Sequence, residues 1–227
     1  MSNILKACFE DMEPESKPTN PDQIMQVMRL LKKNCFDFIV AGGYARDKFY
    51  GKEPADCDIC IFNFHPDDRA EQFLLKSLME SLSAITDVRM CEAYEDDDPR
   101  LGNVIKLDSW NIDIIFYAKA KTAWDVLKQF DCNMNQFYLP GSIPDYAGVK
   151  STTGDLEYAA LTLSYPLYYG NSHEPHALEY LASGDLTLTR IVKMGEKWQE
   201  YTGKKVTGGA AAIYEYARLQ LNSELPF

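Results

Sequence analysis

The segment 38–62, FIVAGGYARDKFYGKEPADCDICIF, constrains the local fold more than any other part of this chain. It begins with four apolar residues, and two glycines follow them directly. Residues 44–50 are compatible with a helix, and the segment ends on a second apolar run that carries two aspartates. This order predicts a short strand, a glycine turn that opens a helix, and then a second strand.

The two aspartates of the second strand are Asp56 and Asp58. Side chains alternate along a strand, so both carboxylates are expected on one face, with Cys57 and Ile59 directed toward a core on the other. Two neighbouring carboxylates repel each other unless a cation lies between them. Mg²⁺ commonly binds through one or two carboxylates together with substrate phosphates. The spacing therefore predicts a Mg²⁺ site.

The glycine pair, Gly42 and Gly43, predicts a place for an anionic ligand beside that metal. Glycine lets the backbone approach a ligand closely, and free N–H groups at the start of a helix attract anions. A plain turn is the alternative, because turns use glycine widely. The phosphate-binding interpretation gains support from Arg46-Asp47 and from the D-x-D strand that follows.

A third carboxylate, Asp113, lies in the run WNIDIIFY at 110–117, which is typical of a strand. The alternative for Asp113 is an edge-strand charge that faces water. An aspartate within so apolar a run is costly to bury unless it is paired or bound to a metal. We therefore predict that Asp113 joins the first two carboxylates.

These motifs resemble the catalytic head of the polymerase-β-like nucleotidyltransferase superfamily, and most closely the branch of tRNA nucleotidyltransferases and poly(A) polymerases. The resemblance rests on GGYARD at 42–47, DCDI at 56–59 and the later Asp113. DCNMN at 131–135 is similar to the D-F-T-I-N motif of that branch, with Asn133 in place of threonine. LTRI at 188–191 is similar to the L-R-I segment of its neck.

The resemblance implies transfer of a nucleotide from a nucleoside triphosphate such as ATP to an acceptor hydroxyl, with release of pyrophosphate. It implies two Mg²⁺ ions, with Asp56 and Asp58 as ligands of both and Asp113 as ligand of the ion that lowers the pKa of the attacking hydroxyl. The residues implied to contact the nucleotide are Gly42 and Gly43 through their backbone, Arg46 and Arg190 at the phosphates, and Asp131 and Asn135 near the sugar or base. Both arginines have an alternative as surface helix charges.

The chain also departs from that branch. Its CCA-adding members carry an E-D-x-x-R segment that reads the incoming base, and none is present here; HEPH at 173–176 lies in that region without matching. Long helical body and tail domains follow the neck in those enzymes, whereas this sequence ends soon after Met194. CCA synthesis on tRNA by the standard template is therefore not expected.

The formal net charge of −11 is unfavourable for an enzyme that must hold a long nucleic acid. Much of the acid is local, at 10–15 and 92–98, and both runs predict solvated loops. Arg190, Lys193 and Lys197 have helical spacing, which predicts either one basic helix face that binds a ligand or an ordinary solvated face. This excess of acidic over basic residues is still compatible with a short contact with RNA.

The 227 residues, 46% of them hydrophobic, predict a small α+β protein: a mixed-sheet nucleotidyltransferase head with a small helical C-terminal region. The expected organisation is an acidic leader at 1–20, a catalytic domain at 21–150 and a mostly helical region at 151–227. Further expected elements are a helix capped by Asn20, a helix at 69–83, strands at 88–91 and 103–107, a short helix at 123–129, and helical segments at 178–182, 186–200 and 210–221.

No membrane segment is expected, because no apolar run is long enough and no signal peptide is recognisable. Six cysteines without a disulfide framework spacing indicate reduced thiols and a cytoplasmic protein. The leading acceptor is an RNA 3′ end, including that of tRNA. The alternatives are nucleotidylation of a protein or small molecule, and a catalytically idle nucleotide-binding or interaction protein. The oligomeric state, base preference and number of nucleotides added stay open.

Overall fold

The computed structural model describes residues 18–92, 101–144, 149–150, 156–157, 161–181 and 186–223. The predicted leader therefore lies outside the described residues except for its last three positions, and so do both acidic runs apart from Glu92. Within these ranges the α-helices are α1 Pro21–Lys33, α2 Gly43–Phe49, α3 Arg69–Ser83, α4 Ala123–Lys128, α5 Leu188–Thr202 and α6 Gly208–Ser223. The long strands are β1 Asp37–Val40, β2 Cys57–Phe62, β3 Arg89–Glu92, β4 Leu101–Leu107 and β5 Ile112–Tyr117. Four two-residue strands complete the set: β6 Phe137–Tyr138, β7 Val149–Lys150, β8 Leu156–Glu157 and β9 Leu167–Tyr168.

The five long strands form one mixed sheet in the order β1-β2-β5-β4-β3. The central pair, β2 and β5, is parallel, and the other neighbours are antiparallel. A mixed sheet with helices on its faces confirms the predicted α+β class. None of the helices within the described ranges is long and apolar enough to cross a membrane.

Alternation along the strands divides the core into two layers, and Cys57 and Ile59 face one of them as predicted. Cys57, Ile59 and Ile61 pack with α1 and α3 in one buried cluster, whereas Cys60 and Phe62 pack with α4 in a second. Asp58 has the parity of Cys60, so it belongs to the α4 side of the sheet, near the beginning of β2. The strand geometry thus places the carboxylates at one end of the sheet, on one face.

The predicted helix at 178–182 is wrong over its described residues. Residues 178–181 are extended, because they lie along the segment 131–133 instead of forming local bonds. Leu181 N–H donates to Asp131 O at 2.7 Å, and Asn133 N–H donates to Glu179 O at 3.1 Å. The helices expected at 186–200 and 210–221 are present as α5 and α6, and they pack on each other over a third buried cluster that includes Trp198 and Met194.

Candidate active site

The glycine turn lies directly against the first two carboxylates. Gly42 has a φ of +82°, a conformation that favours glycine, and its N–H donates to Phe137 O at 2.9 Å. A Cβ added to Gly42 would lie 3.6 Å from Asp58 Oδ2, and one added to Gly43 would lie 3.7 Å from Asp56 Oδ1. The structure therefore brings the glycine pair and both carboxylates together at the start of α2.

Asp113 is a direct neighbour of Asp58, because the two residues are register partners across the parallel strands β2 and β5. Its carboxylate is partly buried and accepts a hydrogen bond from the Lys106 ammonium at 2.7 Å. Within the described ranges, no three His, Cys, Asp or Glu side chains stand together as a metal-binding group. The ion pair with Lys106 holds one oxygen of the third carboxylate.

The raised pKa of Asp58 reflects its burial and the repulsion between the neighbouring carboxylates. Burial, together with the negative charges of Asp56 and Asp113, raises the pKa of Asp58 to about 7, although Arg190 and Lys106 act in the opposite direction. A site that disfavours its own negative charge in this way accommodates a cation. Two hard carboxylates, with open coordination positions for phosphate oxygens, fit Mg²⁺. The residues present therefore fit the implied metal through Asp56 and Asp58.

A basic face of α5 forms the opposite wall of the cleft. Arg190, Lys193 and Lys197 line it together with the glycine pair and both aspartates. Burial lowers the pKa of the Lys197 ammonium, and the charges of Arg46 and Lys193 lower it further. A bound anion lowers the electrostatic repulsion between cations that lie this close together. Lys193 is exposed and Arg190 and Lys197 are partly buried, so the predicted ligand-binding face and the solvated face both stay predictions.

Arg46 is buried, at 3% exposure, and its guanidinium is occupied by protein partners. It forms an ion pair with Asp47, through Nε at 2.7 Å and Nη2 at 2.6 Å, and its Nη1 donates to Asn135 Oδ1 at 2.7 Å. Tyr201 O–H also donates to Asp47. These contacts give Arg46 a clear positioning function, and its predicted contact with phosphate stays a prediction.

The hydrogen bonds continue from Asn135 to Arg190. Asn135 Nδ2 donates to Asp131 Oδ1 at 2.7 Å, and Arg190 Nε donates to Asp131 Oδ2 at 2.5 Å. Burial opposes ionisation of Asp131, but the hydrogen bond and charge of Arg190 outweigh it and hold the pKa of Asp131 below its usual value. One network, buried at Arg46 and Asn135 and partly exposed at Arg190, therefore joins the three motifs GGYARD, DCNMN and LTRI, which lie far apart in the chain.

Asn133 stands where the resembled motif has threonine, and it has a structural partner of its own. Its Nδ2 donates to Ala177 O at 2.8 Å, and its Oδ1 accepts from Glu179 N–H at 3.0 Å. An amide supplies both a donor and an acceptor here, which a threonine hydroxyl of shorter reach does not match. Asn133 thus fastens the extended segment 177–181 beside the motif.

Two residues at or beside the site were not predicted from the sequence, Phe130 and Lys106. For the two α5 lysines the helical spacing was a usable signal. Nothing local to Phe130 or Lys106 indicates that either side chain reaches the cleft region. A larger cavity of about 400 Å³ lies elsewhere, beside Tyr44 and Lys48. None of the candidate carboxylates lines that cavity, so it is not where this chemistry would occur.

No family model matches the chain, and no curated protein matches it. Solved structures do share its fold. A tRNA-processing enzyme (apo form I) is 16% identical, with a TM-score of 0.52 over 92% of this chain and 50% of its own. The Thermotoga maritima CCA-adding enzyme complexed with tRNA_CCA is 12% identical, with a TM-score of 0.52 over 90% of this chain and 44% of its own.

A CCA-adding enzyme in apo form I gives a similar result, at 12% identity and a TM-score of 0.50 over 89% of this chain and 43% of its own. The chain therefore spans half or less of the length of these solved structures. The resemblance seen in the motifs is confirmed at the level of the fold, which is that of CCA-adding enzymes over the shared part.

Proposed function

We propose that this chain transfers a nucleotide from a nucleoside triphosphate to an acceptor hydroxyl, which the leading hypothesis places at an RNA 3′ end. One observation carries the proposal. The glycine turn touches the Asp56 and Asp58 carboxylates, and the cationic face of α5 lines the same cleft. A metal-binding pair, a glycine backbone that a phosphate can approach closely and several cations are parts that phosphoryl transfer requires, since its catalysis is chiefly positioning and charge neutralisation.

In the proposed reaction the acceptor hydroxyl loses its proton to water, and its oxygen forms a bond to the α-phosphorus. The bond between that phosphorus and the bridging oxygen breaks, and pyrophosphate leaves with the electron pair. Asp56, Asp58 and, on leaving Lys106, Asp113 would hold two Mg²⁺ ions. When bound, these ions supply charge neutralisation and a lower pKa of the attacking hydroxyl. The protein's own part is to orient the triphosphate in line with the acceptor.

The triphosphate lies, in this proposal, between the glycine turn and α5. The backbone of Gly42 and Gly43 approaches the phosphates closely, because a Cβ at either position would stand near the site's side chains. Arg190, Lys193 and Lys197 neutralise the phosphate charge from the opposite wall. The network through Asp131 orients Arg190, and Arg46 fixes Asn135 within that network.

Support for an RNA acceptor comes from the solved structure of similar fold that is complexed with tRNA. The net charge of −11 favours the second candidate, transfer to a protein or a small molecule. A third candidate is a nucleotide-binding protein that performs no transfer. The three candidates differ in which acceptor, if any, receives the nucleotide, so one labelling experiment distinguishes them.

The experiment supplies α-labelled ATP, CTP, GTP and UTP in turn, with Mg²⁺, to total RNA and to total protein. We expect label in RNA, and none with the Asp56→Ala/Asp58→Ala variant. Label in protein would replace the RNA hypothesis with the second candidate. Nucleotide binding without carboxylate-dependent label in RNA, protein or small molecules would support the idle protein and overturn nucleotidyl transfer.

Replacing both α5 lysines should weaken nucleotide binding without unfolding the protein. Lys193→Ala/Lys197→Ala removes two cations from the cleft wall, and we expect the Kd for ATP to rise about tenfold to a hundredfold. The Kd should also depend less on salt, because fewer charges take part. Calorimetric titration at low and high salt measures both effects. The matched control is Lys33→Ala/Lys76→Ala, two exposed helix lysines outside the cleft lining; equal weakening in control and variant would contradict the assignment.

A further inference from the structure

Phe130 is the only aromatic side chain among the residues that line the cleft within the described part of the chain. Its ring edge faces the glycine turn: a Cβ on Gly42 would lie 3.7 Å from Phe130 Cζ and 3.9 Å from its Cε1. The ring also packs edge-on against Tyr117, with centroids 6.3 Å apart, and it is partly exposed. A partly exposed, supported ring therefore stands next to the place where the proposed triphosphate begins.

The polar side chains best suited to read a base edge are already occupied. Asn135 is 4% exposed, its Oδ1 accepts from Arg46, and its Nδ2 donates to Asp131 and to Met194 Sδ. Both oxygens of Asp131 are held, one by Asn135 and the other by Arg190. These groups are already engaged by protein partners, and Asn135 is almost fully buried, which limits its reach to the edge of a base. The observed contacts of these two residues position Arg190, and their predicted place near the sugar or base stays a prediction.

The remaining polar lining residues are charged: Arg46 is held by Asp47 and Asn135, and the proposed reaction employs the others. Asp56 and Asp58 face the metal position, and the cations of α5 match the charge of the triphosphate. Discrimination between bases requires donors and acceptors that pair with one base and are left unpaired by another. The described lining residues offer a flat apolar ring instead, and every base has a face that stacks on such a ring.

We propose that Phe130 holds the base of the incoming nucleotide by stacking, and that the site accepts all four nucleoside triphosphates with little discrimination. This inference rests on the proposed function and adds the way in which the substrate is recognised. The substrate class is then the nucleoside triphosphates as a whole. Most of the binding free energy comes from the contacts to the phosphates and from stacking of the base on the Phe130 ring. Purines should bind somewhat more tightly than pyrimidines, because they present a larger stacking surface.

The test is equilibrium titration of the full chain with ATP, CTP, GTP, UTP and inorganic triphosphate, each with Mg²⁺. Inorganic triphosphate measures the phosphate site without a base. We expect the four nucleotides to bind within about tenfold of one another, and about tenfold or more tighter than inorganic triphosphate. The Phe130→Leu variant keeps an apolar side chain but removes the flat ring, so its nucleotide affinities should fall toward that of inorganic triphosphate. The Phe130→Trp variant should keep them.

Affinity for inorganic triphosphate should be unchanged in both variants, and this separates stacking from packing. Loss of inorganic triphosphate binding in Phe130→Leu would mean that the ring only supports the turn, and would overturn the inference. One nucleotide bound about a hundredfold more tightly than the others would also overturn it, since stacking does not discriminate so strongly. If wild-type protein binds the four nucleotides no more tightly than inorganic triphosphate, the stacking inference is refuted and the proposed function is not. Wild-type protein that binds neither would refute the proposed function, and this inference with it.

Discussion

Replacing Asp58 by asparagine should abolish nucleotidyl transfer and at the same time make the metal-free protein more stable above neutral pH. We expect loss of the proposed activity because an amide cannot replace a carboxylate as the proposed metal ligand between the glycine turn and Asp113. We expect transfer to fall by about a thousandfold or more, as for removal of a group that acts on charge in the transition state. A variant that is inactive and yet more stable is the mark of a functional residue.

The gain in stability follows from the pKa of Asp58, which is raised to about 7. The unfolded carboxyl has its usual pKa near 3.9, so between about pH 4 and pH 7 the folded protein binds more protons than the unfolded chain. The free energy of unfolding therefore decreases as the pH rises through that window. Asparagine has no such proton to lose, and the variant should be more stable by about 2 kcal/mol at pH 8, after allowance for solvent screening.

Thermal unfolding of wild type and Asp58→Asn, in chelator and then in Mg²⁺, measures this effect across the pH range. The two proteins should converge below about pH 4, where the wild-type carboxyl is protonated in both states. Mg²⁺ should stabilise wild type and leave the variant unchanged. Asp67→Asn is the matched control, because that carboxylate is exposed. An active Asp58→Asn protein would remove Asp58 from the catalytic group.

The parts of the fold that the sequence predicted well depend on neighbours in the chain. Helix α3 begins at Arg69 and ends at Ser83 as expected, and Asn20 caps α1 by accepting from Asp22 N–H at 2.9 Å. The meeting of Gly42 with Asp58 was also predictable, because a strand, a turn and a second strand leave few arrangements. Strand parity alone put Asp56 and Asp58 on the same face.

The parts that were not predictable depend on distant partners. Residues 178–181 have apolar spacing compatible with a helix, but their backbone groups bond to 131–133, and that pairing outweighs helix propensity. The spacing of Lys193 and Lys197 predicted that they share one helix face, but not whether that face is turned toward the cleft or toward solvent. Burial of Met194 and Trp198 fixes the rotation of α5 and thereby turns the lysines into the cleft. Phe130 reaches Gly42 only through the packing of α4 on the sheet.

Removing the Arg46 charge should cause the largest loss of stability among single substitutions in the site. Arg46→Met leaves Asp47 nearly buried with only the Tyr201 hydroxyl as a hydrogen-bond donor among its described side-chain contacts. Breaking a buried ion pair from one side costs about 3–5 kcal/mol, because a charge is left without its partner. Replacing Asp47 as well, in Arg46→Met/Asp47→Leu, removes the stranded charge, so the double variant should recover about 2 kcal/mol or more of that loss.

Chemical denaturation of the two variants measures these free energies, with Arg218→Met as the matched control. Arg218 forms an exposed pair with Glu215 at 3.5 Å, and its loss should cost less than about 1 kcal/mol. The comparison also decides between the two functions of Arg46. If it positions Asn135, stability is lost and the double variant regains part of it. If it is instead a phosphate ligand, Arg46→Met would keep its stability and lose affinity for inorganic triphosphate, and the network would then have to be held through Asp131 and Arg190 alone.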